Sequence, residues 1–384
     1  VRKWAAALTI PCSVLYAFIA GGGISVVRAA IMVVTFLFSI LLNRERNLLH
    51  TLALAAFLIL AFSPPSLFDV SFQLSFVAVL SILYLVPRIL QAFKRDGLSL
   101  LSKPSWKKNV WRYLRLSLLV TGVAIVGTAP WVAFHFNRFS PIGFVPNLFV
   151  IPGVGFLIVP LTLTASIVSF LFLPLATFLI HLNGLITLIL LRVLAVLASL
   201  PFASFYVSTP TVLEIVLFYS LLYLLVHFQK GKKIRYLFVG LCMAFACDLA
   251  YWNLKDSFQK DLKLTFIDVG HGDSILVEFP KGKKMLIDGG GLSDDRFDTG
   301  KNVIAPFLRK KKIRRIETLV LTHPDPDHLK GLNFIASHFS IGQFWESGLE
   351  TQSEPYLRLK ETLRRKNIRA RSLNQETAPQ MMNG

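Results

Sequence analysis

The sequence predicts a polytopic α-helical membrane domain followed by a smaller globular tail that contains strands. Three observations carry this. Of 384 residues, 54% are hydrophobic and only 16% are charged. Between Ala5 and Trp252 the apolar residues gather into runs of roughly 15–25, the length that crosses a bilayer core of roughly 30 Å. After Asn253 the composition turns to ordinary globular text rich in Lys, Asp and Gly, and from Asp261 the hydrophobic period drops to two, as in a half-buried strand. The expected organisation is a membrane domain over 1–252, a linker over 253–260 and a tail domain over 261–384.

Nine candidate spans follow from the apolar runs: 5–20, 24–42, 48–62, 71–90, 114–134, 148–172, 176–200, 211–228 and 236–252. The third is short and reads equally as a re-entrant or buried helix. The loops divide by charge. The stretch 88–115 carries Arg88, Lys94, Arg95, Lys103, Lys107, Lys108, Arg112 and Arg115 against Asp96, and 229–235 carries Lys230, Lys232, Lys233 and Arg235 with no acid. By contrast 63–70 and 201–210 hold no Lys or Arg, and 137–143 holds only Arg138. Basic loops face the cytoplasm. With Arg2, Lys3, Arg44 and Arg46 also inside, nine crossings leave residue 253 onward outside, although no charge marks the turn near Pro174. A net charge of +19 is thus explained as well by topology as by an affinity for nucleic acid.

Cys12, Cys242 and Cys247 all lie in apolar runs, where cysteine acts as a small apolar filler rather than a disulfide or metal ligand. The chain opens on Val and enters an apolar run at once, with no cleavable signal peptide, so a preceding segment is expected.

Polar residues inside the spans narrow the function. Arg28 sits four residues into its span, and Gln73, Asn183 and Arg192 also fall in apolar sequence. Charge within a membrane is costly and usually faces a bundle interior or a hydrated path; the alternative is that Arg28 and Arg192 snorkel to headgroups. Prolines 64, 65, 141, 146, 152 and 160 predict interrupted helices, tolerated at membrane depth only where protein or a cavity satisfies the freed backbone.

Three stretches carry a resemblance. Gly22-Gly23-Ile24-Ser25-Val26-Val27-Arg28-Ala29-Ala30-Ile31-Met32 resembles the Arg-Ala-x-x-Met signature of the competence-protein membrane domain, the ComEC family. Asp69-Val70-Ser71-Phe72-Gln73-Leu74-Ser75-Phe76, preceded by Pro64-Pro65, is similar to its second signature, and Phe139-Ser140-Pro141 through Pro146-Asn147-Leu148 to Pro152 to its third. Their order matches. The resemblance implies an inner-membrane channel that passes single-stranded DNA into the cytoplasm during natural transformation, working with membrane lipid and other DNA-uptake proteins, with Arg28, Gln73 and Asn147 as channel or structural residues.

In the tail, Leu262, Leu264 and Phe266 alternate with Lys263, Thr265 and Ile267, and Ile275–Phe279 and Lys284–Ile287 flank Pro280-Lys281-Gly282-Lys283 as a hairpin. A strand at Thr318–Leu321 leads into Thr322-His323-Pro324-Asp325-Pro326-Asp327-His328. Each proline biases the residue before it toward extended geometry, so His323, Asp325 and Asp327 can share a face, with His328 opening the next helix. Two imidazoles and two carboxylates within six residues are metal-ligand chemistry; the bland alternative is a solvated acidic turn.

This motif resembles the metallo-β-lactamase superfamily's His-x-His-x-Asp-His, with Asp325 in place of the second His, which implies a partial αββα domain. The exchange hardens the site and makes Mn²⁺ or Mg²⁺ as suitable as Zn²⁺. The resemblance implies two divalent metal ions and phosphodiester hydrolysis, His323 and Asp325 serving one metal, Asp327 and His328 the other, with Asp327 as the catalytic metal ligand. Supporting matches are Asp268-Val269-Gly270-His271-Gly272-Asp273-Ser274 and Asp288-Gly289-Gly290, which make Asp268 and Asp288 candidates for support behind the ligands. The superfamily commonly has Gln where His271 stands, and Lys330-Gly331 replaces its Gly-Gly. It also completes its site with a later His, a bridging Asp and a final His; nothing after His328 offers that set, His338 lying too near, so the tail is expected to be truncated and catalytically incomplete.

The run Lys301, Arg309, Lys310, Lys311, Lys312, Arg314 and Arg315 reads either as a solvated helix face or as a grip for phosphates. Two further functional readings stand beside DNA uptake: a membrane-anchored metallohydrolase of a small phosphoester or thioester, and a non-functional truncated product.

Overall fold

A computed structural model describes residues 2–21, 24–41, 47–95, 106–291 and 297–373. The chain divides into two compact units, Val1–Tyr206 and Val207–Gly384. Gly22 and Gly23 of the first signature, Arg44, Arg46, Asp96 and Lys103 lie outside the described residues.

The first unit is helical: α1 (Arg2–Ile19), α2 (Ile24–Leu41), α3 (Leu48–Phe62), α4 (Val70–Arg95), α5 (Trp106–Phe136), a short strand β1 (Arg138–Phe139), α6 (Phe144–Gly153), α7 (Val159–Ser169), α8 (Leu173–Ala198) and β2 (Phe205–Tyr206). Away from their basic ends its helices are mostly apolar. Phe170 and Phe62 are 90% and 87% exposed, as suits a helix whose solvent is lipid. Gly127 lets α5 cross α4 closely, since a Cβ there would lie 2.2 Å from the Ser81 hydroxyl. The turn β1 antiparallel to β2 pairs Arg138 with Tyr206 and Phe139 with Phe205.

Among the described residues, five helices are long and apolar enough to cross a membrane: Val70–Gln91, Val110–Phe136, Pro141–Ser169, Leu173–Ala198 and Lys232–Phe258. Four shorter apolar helices occupy the other expected spans, at Lys3–Ile19, Val26–Leu41, Leu48–Phe62 and Val212–Val226. At 1.5 Å per residue, a 15-residue helix such as α3 reaches roughly 22 Å, short of a full hydrocarbon core.

The prolines act differently from the sequence expectation. Pro64 and Pro65 do end a helix, opening a 3₁₀ turn over Pro64–Phe68. Pro146, Pro152 and Pro160 do not: the helical run continues from Pro141 to Ser169, with a wide π turn at Val154–Ile158 between α6 and α7. A proline removes one donor and crowds the carbonyl four residues back, and a widened turn absorbs that crowding without breaking the rod.

The second unit begins with α9 (Val212–Val226) and α10 (Lys232–Leu254), followed by β3 (Lys263–Phe266), β4 (Ile275–Glu278), β5 (Lys284–Ile287), α11 (Ala305–Lys310), β6 (Arg315–Leu321), α12 (Pro326–His338), β7 (Ser340–Glu346), α13 (Glu354–Arg365) and β8 (Arg369–Ser372). The strands form one sheet in chain order. β3, β4 and β5 are antiparallel, and the expected hairpin pairs Ile275 with Ile287 and Glu278 with Lys284. From β5 to β8 the sheet is parallel, each crossover containing a helix, as parallel pairing requires. Leu276, Leu286, Leu319 and Phe344 are fully buried on one face against Leu332 and Leu359 of α12 and α13. One sheet layer with one helix layer is half of an αββα sandwich.

Because β5 to β8 run parallel, β6, β7 and β8 end at the same edge. The loop leaving β6 at that edge carries the candidate metal ligands.

Candidate metal centre

Parallel strand β6 delivers Thr322 and His323 past the sheet edge, and α12 starts two residues earlier than the extended run predicts. Asp325 is its N-cap residue, with extended φ −79° and ψ 149°, and Pro326 occupies the first turn, where its missing N–H is unneeded. Asp327 and His328 therefore sit in a helical turn. The Asp325 carbonyl accepts from the His328 and Leu329 amides at 3.0 Å each.

Asp288 organises the site from below. It ends β5 in the left-handed region, φ 57°, a conformation Asp tolerates, and is only 3% exposed. Its carboxylate accepts from the Thr322 amide at 2.8 Å and the Thr322 hydroxyl at 2.6 Å, and lies 2.9 Å from His328 Nδ1. A carboxylate only accepts, so His328 Nδ1 carries a hydrogen, and Nε2 is the nitrogen left to face a metal. The Thr322 proton goes to Asp288, so the 2.9 Å contact between Thr322 Oγ1 and His323 Nδ1 is donated by the ring. Both imidazoles are thus held by Nδ1 and turn Nε2 toward the loop, the orientation a metal ligand needs.

Those nitrogens meet the carboxylates in pairs. His323 Nε2 lies 3.5 Å from Asp325 Oδ2 and His328 Nε2 lies 3.6 Å from Asp327 Oδ2, and the two rings are 3.9 Å apart. Among the described residues, no three or more His, Cys, Asp or Glu are grouped closely enough to hold a metal ion. The donor types suit a divalent cation, and each imidazole–carboxylate pair supplies two of the four to six donors such an ion takes.

Backbone packs against backbone around this loop. A Cβ at Gly331 would lie 1.9 Å from the Gly289 carbonyl, and one at Gly272 (φ 77°) 1.7 Å from the Asp327 carbonyl. Gly331 is therefore fixed by space. Asp268 is exposed and accepts from the Gly270 amide at 3.1 Å, holding its own turn.

The basic run from Lys301 to Arg315 divides between exposed residues and residues turned toward the fold. Arg309 is buried, its guanidinium 5.3 Å from the Phe339 ring. Lys311 pairs with Glu278, and Lys312 pairs with Glu214 at the start of α9 while lying 4.7 Å from the Trp252 ring of α10. Arg314 donates to Ser208 at 3.4 Å, and the Thr209 amide to the Arg309 carbonyl at 3.2 Å. Glu214 itself closes a capping box with Thr211. These charges fasten the tail to α9 and α10. Lys301, Lys310, Arg314 and Arg315 are exposed, as on a solvated face, Arg315 lying beside Glu317.

In the first unit, Arg28 of α2 is 3% exposed and 3.9 Å from the Asp69 carboxylate. Asp69 also accepts from the Ser71 and Phe72 amides at 2.6 and 3.2 Å, capping α4. Gln73 donates to the Leu67 carbonyl at 2.9 Å, and its oxygen is 2.7 Å from His135 Nε2 on α5. Sequence reasoning singled out Arg28 and Gln73 but missed Asp69 and His135; Asp69 lay in plain view at the head of the second signature. Asn147 is half-buried on α6. Asn183 donates to Thr162 at 2.7 Å, joining α8 to α7, and Arg192 is exposed.

The helical unit and the sheet-bearing unit together define a membrane protein with a tail of the metallo-beta-lactamase class. The Metallo-beta-lactamase superfamily matches residues 267–378, and the family described as Competence protein matches residues 1–231. The chain belongs to the competence protein family. It is 26% identical over 361 residues to ComE operon protein 3 of Bacillus subtilis (strain 168), an alignment covering 88% of this chain and 43% of that protein. The chain therefore spans less than half the length of this relative.

Proposed function

We propose that this chain belongs to a DNA-uptake apparatus of the inner membrane, moving single-stranded DNA inward, with an extracytoplasmic tail that is a metal-dependent phosphodiester hydrolase when its ligand set is complete. The observation that carries the membrane half of this reading is the buried Arg28, held by Asp69 among apolar helices in a chain of the competence protein family. An arginine is costly at such depth, and a polyanion is the cargo that would use it.

The fastening of the tail supports its side of the membrane in this reading. Lys312 and Arg314 reach Glu214 and Ser208, so the start of α9 and the end of α10 lie on the side of the tail. The connection between these helices, with Lys230, Lys232, Lys233 and Arg235, lies at their opposite ends. Basic connections face the cytoplasm, which supports the reading of the tail as extracytoplasmic.

In the tail, His323 with Asp325 and His328 with Asp327 would hold two divalent ions, which supply Lewis acidity toward a phosphodiester. The chain's own part is to orient both rings so that Nε2 faces the metal side. Asp288 fixes the His328 ring by its Nδ1, and Thr322 fixes His323 in the same way.

The test is a transformable host carrying the complete reading frame. Arg28→Ala should abolish transformation at normal protein level, and alkaline phosphatase fused after residue 260 should be active. Near wild-type transformation by Arg28→Ala, or an inactive phosphatase beside an active cytoplasmic reporter at the same place, overturns the corresponding half of the reading.

A further inference from the structure

Within the first unit, one oxygen of Asp69 serves two elements. Its Oδ1 accepts from the Ser71 and Phe72 amides at 2.6 and 3.2 Å, closing the first turn of α4. The Arg28 guanidinium of α2 approaches the same oxygen to 3.9 Å, longer than a hydrogen bond. The carboxylate is therefore held closely by α4 and loosely by Arg28.

The backbone around Asp69 is fixed. Its amide donates to the Ser66 carbonyl, and the Gln73 amide donates to the Asp69 carbonyl, each at 3.0 Å. One helical turn on, the Gln73 side chain donates to the Leu67 carbonyl at 2.9 Å, and its oxygen lies 2.7 Å from His135 Nε2 of α5. An amide oxygen only accepts, so the imidazole donates. With α4 tied to α5 in this way, the contact between the Asp69 and Arg28 side chains is the part best able to open.

Arg28 is 3% exposed, so its surroundings, Asp69 included, must shift before a phosphate reaches the guanidinium. A buried cation without a competing acid would hold a phosphodiester tightly, whereas conduction needs sites that a charge can leave as well as enter. The start of α4 and the end of α5 adjoin the connections 63–69 and 137–143, which hold Arg138 and no other Lys or Arg. Basic connections face the cytoplasm, so in the reading above this is the end at which DNA enters.

We propose that Asp69 is a positioning residue that competes with DNA phosphate for Arg28, taking the guanidinium back after each phosphate has passed. The inference rests on the polyanion reading of Arg28 and adds the residue that limits how tightly the strand is held. If Asp69 engages Arg28 about nine-tenths of the time, it lowers the apparent affinity about 10-fold. At an unchanged on-rate it speeds release about 10-fold as well. Loss of the competitor thus strengthens binding and slows transport, a split that simple damage to the bundle does not produce.

Dye-labelled oligo(dT) is titrated against the full chain in nanodiscs of neutral lipid, and transformation is scored in a host carrying the complete reading frame. Asp69→Asn and Asp69→Ser keep an oxygen for the α4 amides. Both should bind oligo(dT) about 10-fold more tightly, while transformation falls about 10-fold. Asp69→Glu keeps the charge and should bind as the wild type does. In an Arg28→Ala background, Asp69→Asn should leave binding unchanged. Unchanged or weaker binding in both neutral variants overturns the competitor role and leaves Asp69 a helix cap, with the reading of Arg28 intact. A gain in binding that persists in the Arg28→Ala background overturns it in favour of a general change in charge. Wild-type binding and transformation by Arg28→Ala itself overturn both.

Discussion

Asp288→Asn separates the shape of the metal loop from its chemistry. Asparagine fits the space and the left-handed φ of 57°, and its oxygen can still accept from the Thr322 amide. Its amide nitrogen, however, is a donor where Asp288 offered only acceptors to the Thr322 hydroxyl and His328 Nδ1. The least costly adjustment is for His328 to become the other tautomer, with Nδ1 accepting and Nε2 protonated. A protonated Nε2 cannot ligate. Loss of such a supporting partner lowers metal affinity by about 10–100-fold. Hydrogen bonds to charged groups are worth about 1.5–3 kcal/mol each, so exchanging two of three should cost about 2–3 kcal/mol of stability. Asp288→Ala loses all three and adds strain at positive φ of about 1 kcal/mol; at the low end of that range the total is about 6 kcal/mol. Calorimetry with Mn²⁺ and Zn²⁺ on the full chain, beside thermal melts, reads both effects. If Asp288→Asn melts slightly lower yet binds metal as tightly as the wild type, the tautomer argument is wrong.

Lys312→Met should destabilise the second unit by about 3 kcal/mol, because it strands Glu214 in a mostly buried place; adding Glu214→Gln should recover most of the loss in thermal melts. Burial and the neighbouring Glu346 carboxylate hold the Tyr356 phenol above its ordinary range. Burial pulls Lys360 down, but its hydrogen bond and charge interaction with Glu346 prevail and raise it. Both groups keep their protons in the folded state after the unfolded chain has released them. Their stabilisation is therefore full below about pH 10 and lost as pH rises through the folded values. Lys366, lowered by burial, opposes this by gaining stability toward high pH. Melts at rising alkaline pH should fall less steeply in Glu346→Gln than in the wild type, and identical slopes would refute the assignment.

What the sequence reveals depends on how far apart the partners are. The β4–β5 hairpin was legible because two short apolar runs flank the turn residues Pro280-Lys281-Gly282, and the metal loop because all four donors fall within six residues. The fate of the basic run was not: Glu214, which takes Lys312, is 98 residues away, and no local period reports such a partner. The same holds for His135, which meets Gln73 across 62 residues. Local rules also misplaced the start of α12. The extended bias before Pro326 was read onward to Asp327, whereas proline in the first turn begins the helix there. The π turn at Val154–Ile158 left no mark beyond prolines, which read more simply as breaks.

The clasp formed by Lys312, Arg314 and the Arg309 carbonyl on Glu214, Ser208 and Thr209 bears on how the chain can be dissected. A cut at 253, where the composition changes, would free the sheet but leave Lys312 and Arg314 without their counterparts. The second unit instead begins at Val207, so the smallest piece that keeps its own contacts retains two apolar helices and must be handled in detergent or lipid. The same fastening limits modular exchange. A tail grafted from another protein onto α10 alone would arrive without the residues that seat it, and would hang from its linker as a tethered bead. In the intact chain, a tilt of α9 or α10 within the bilayer would instead be felt directly at the turn between α11 and β6.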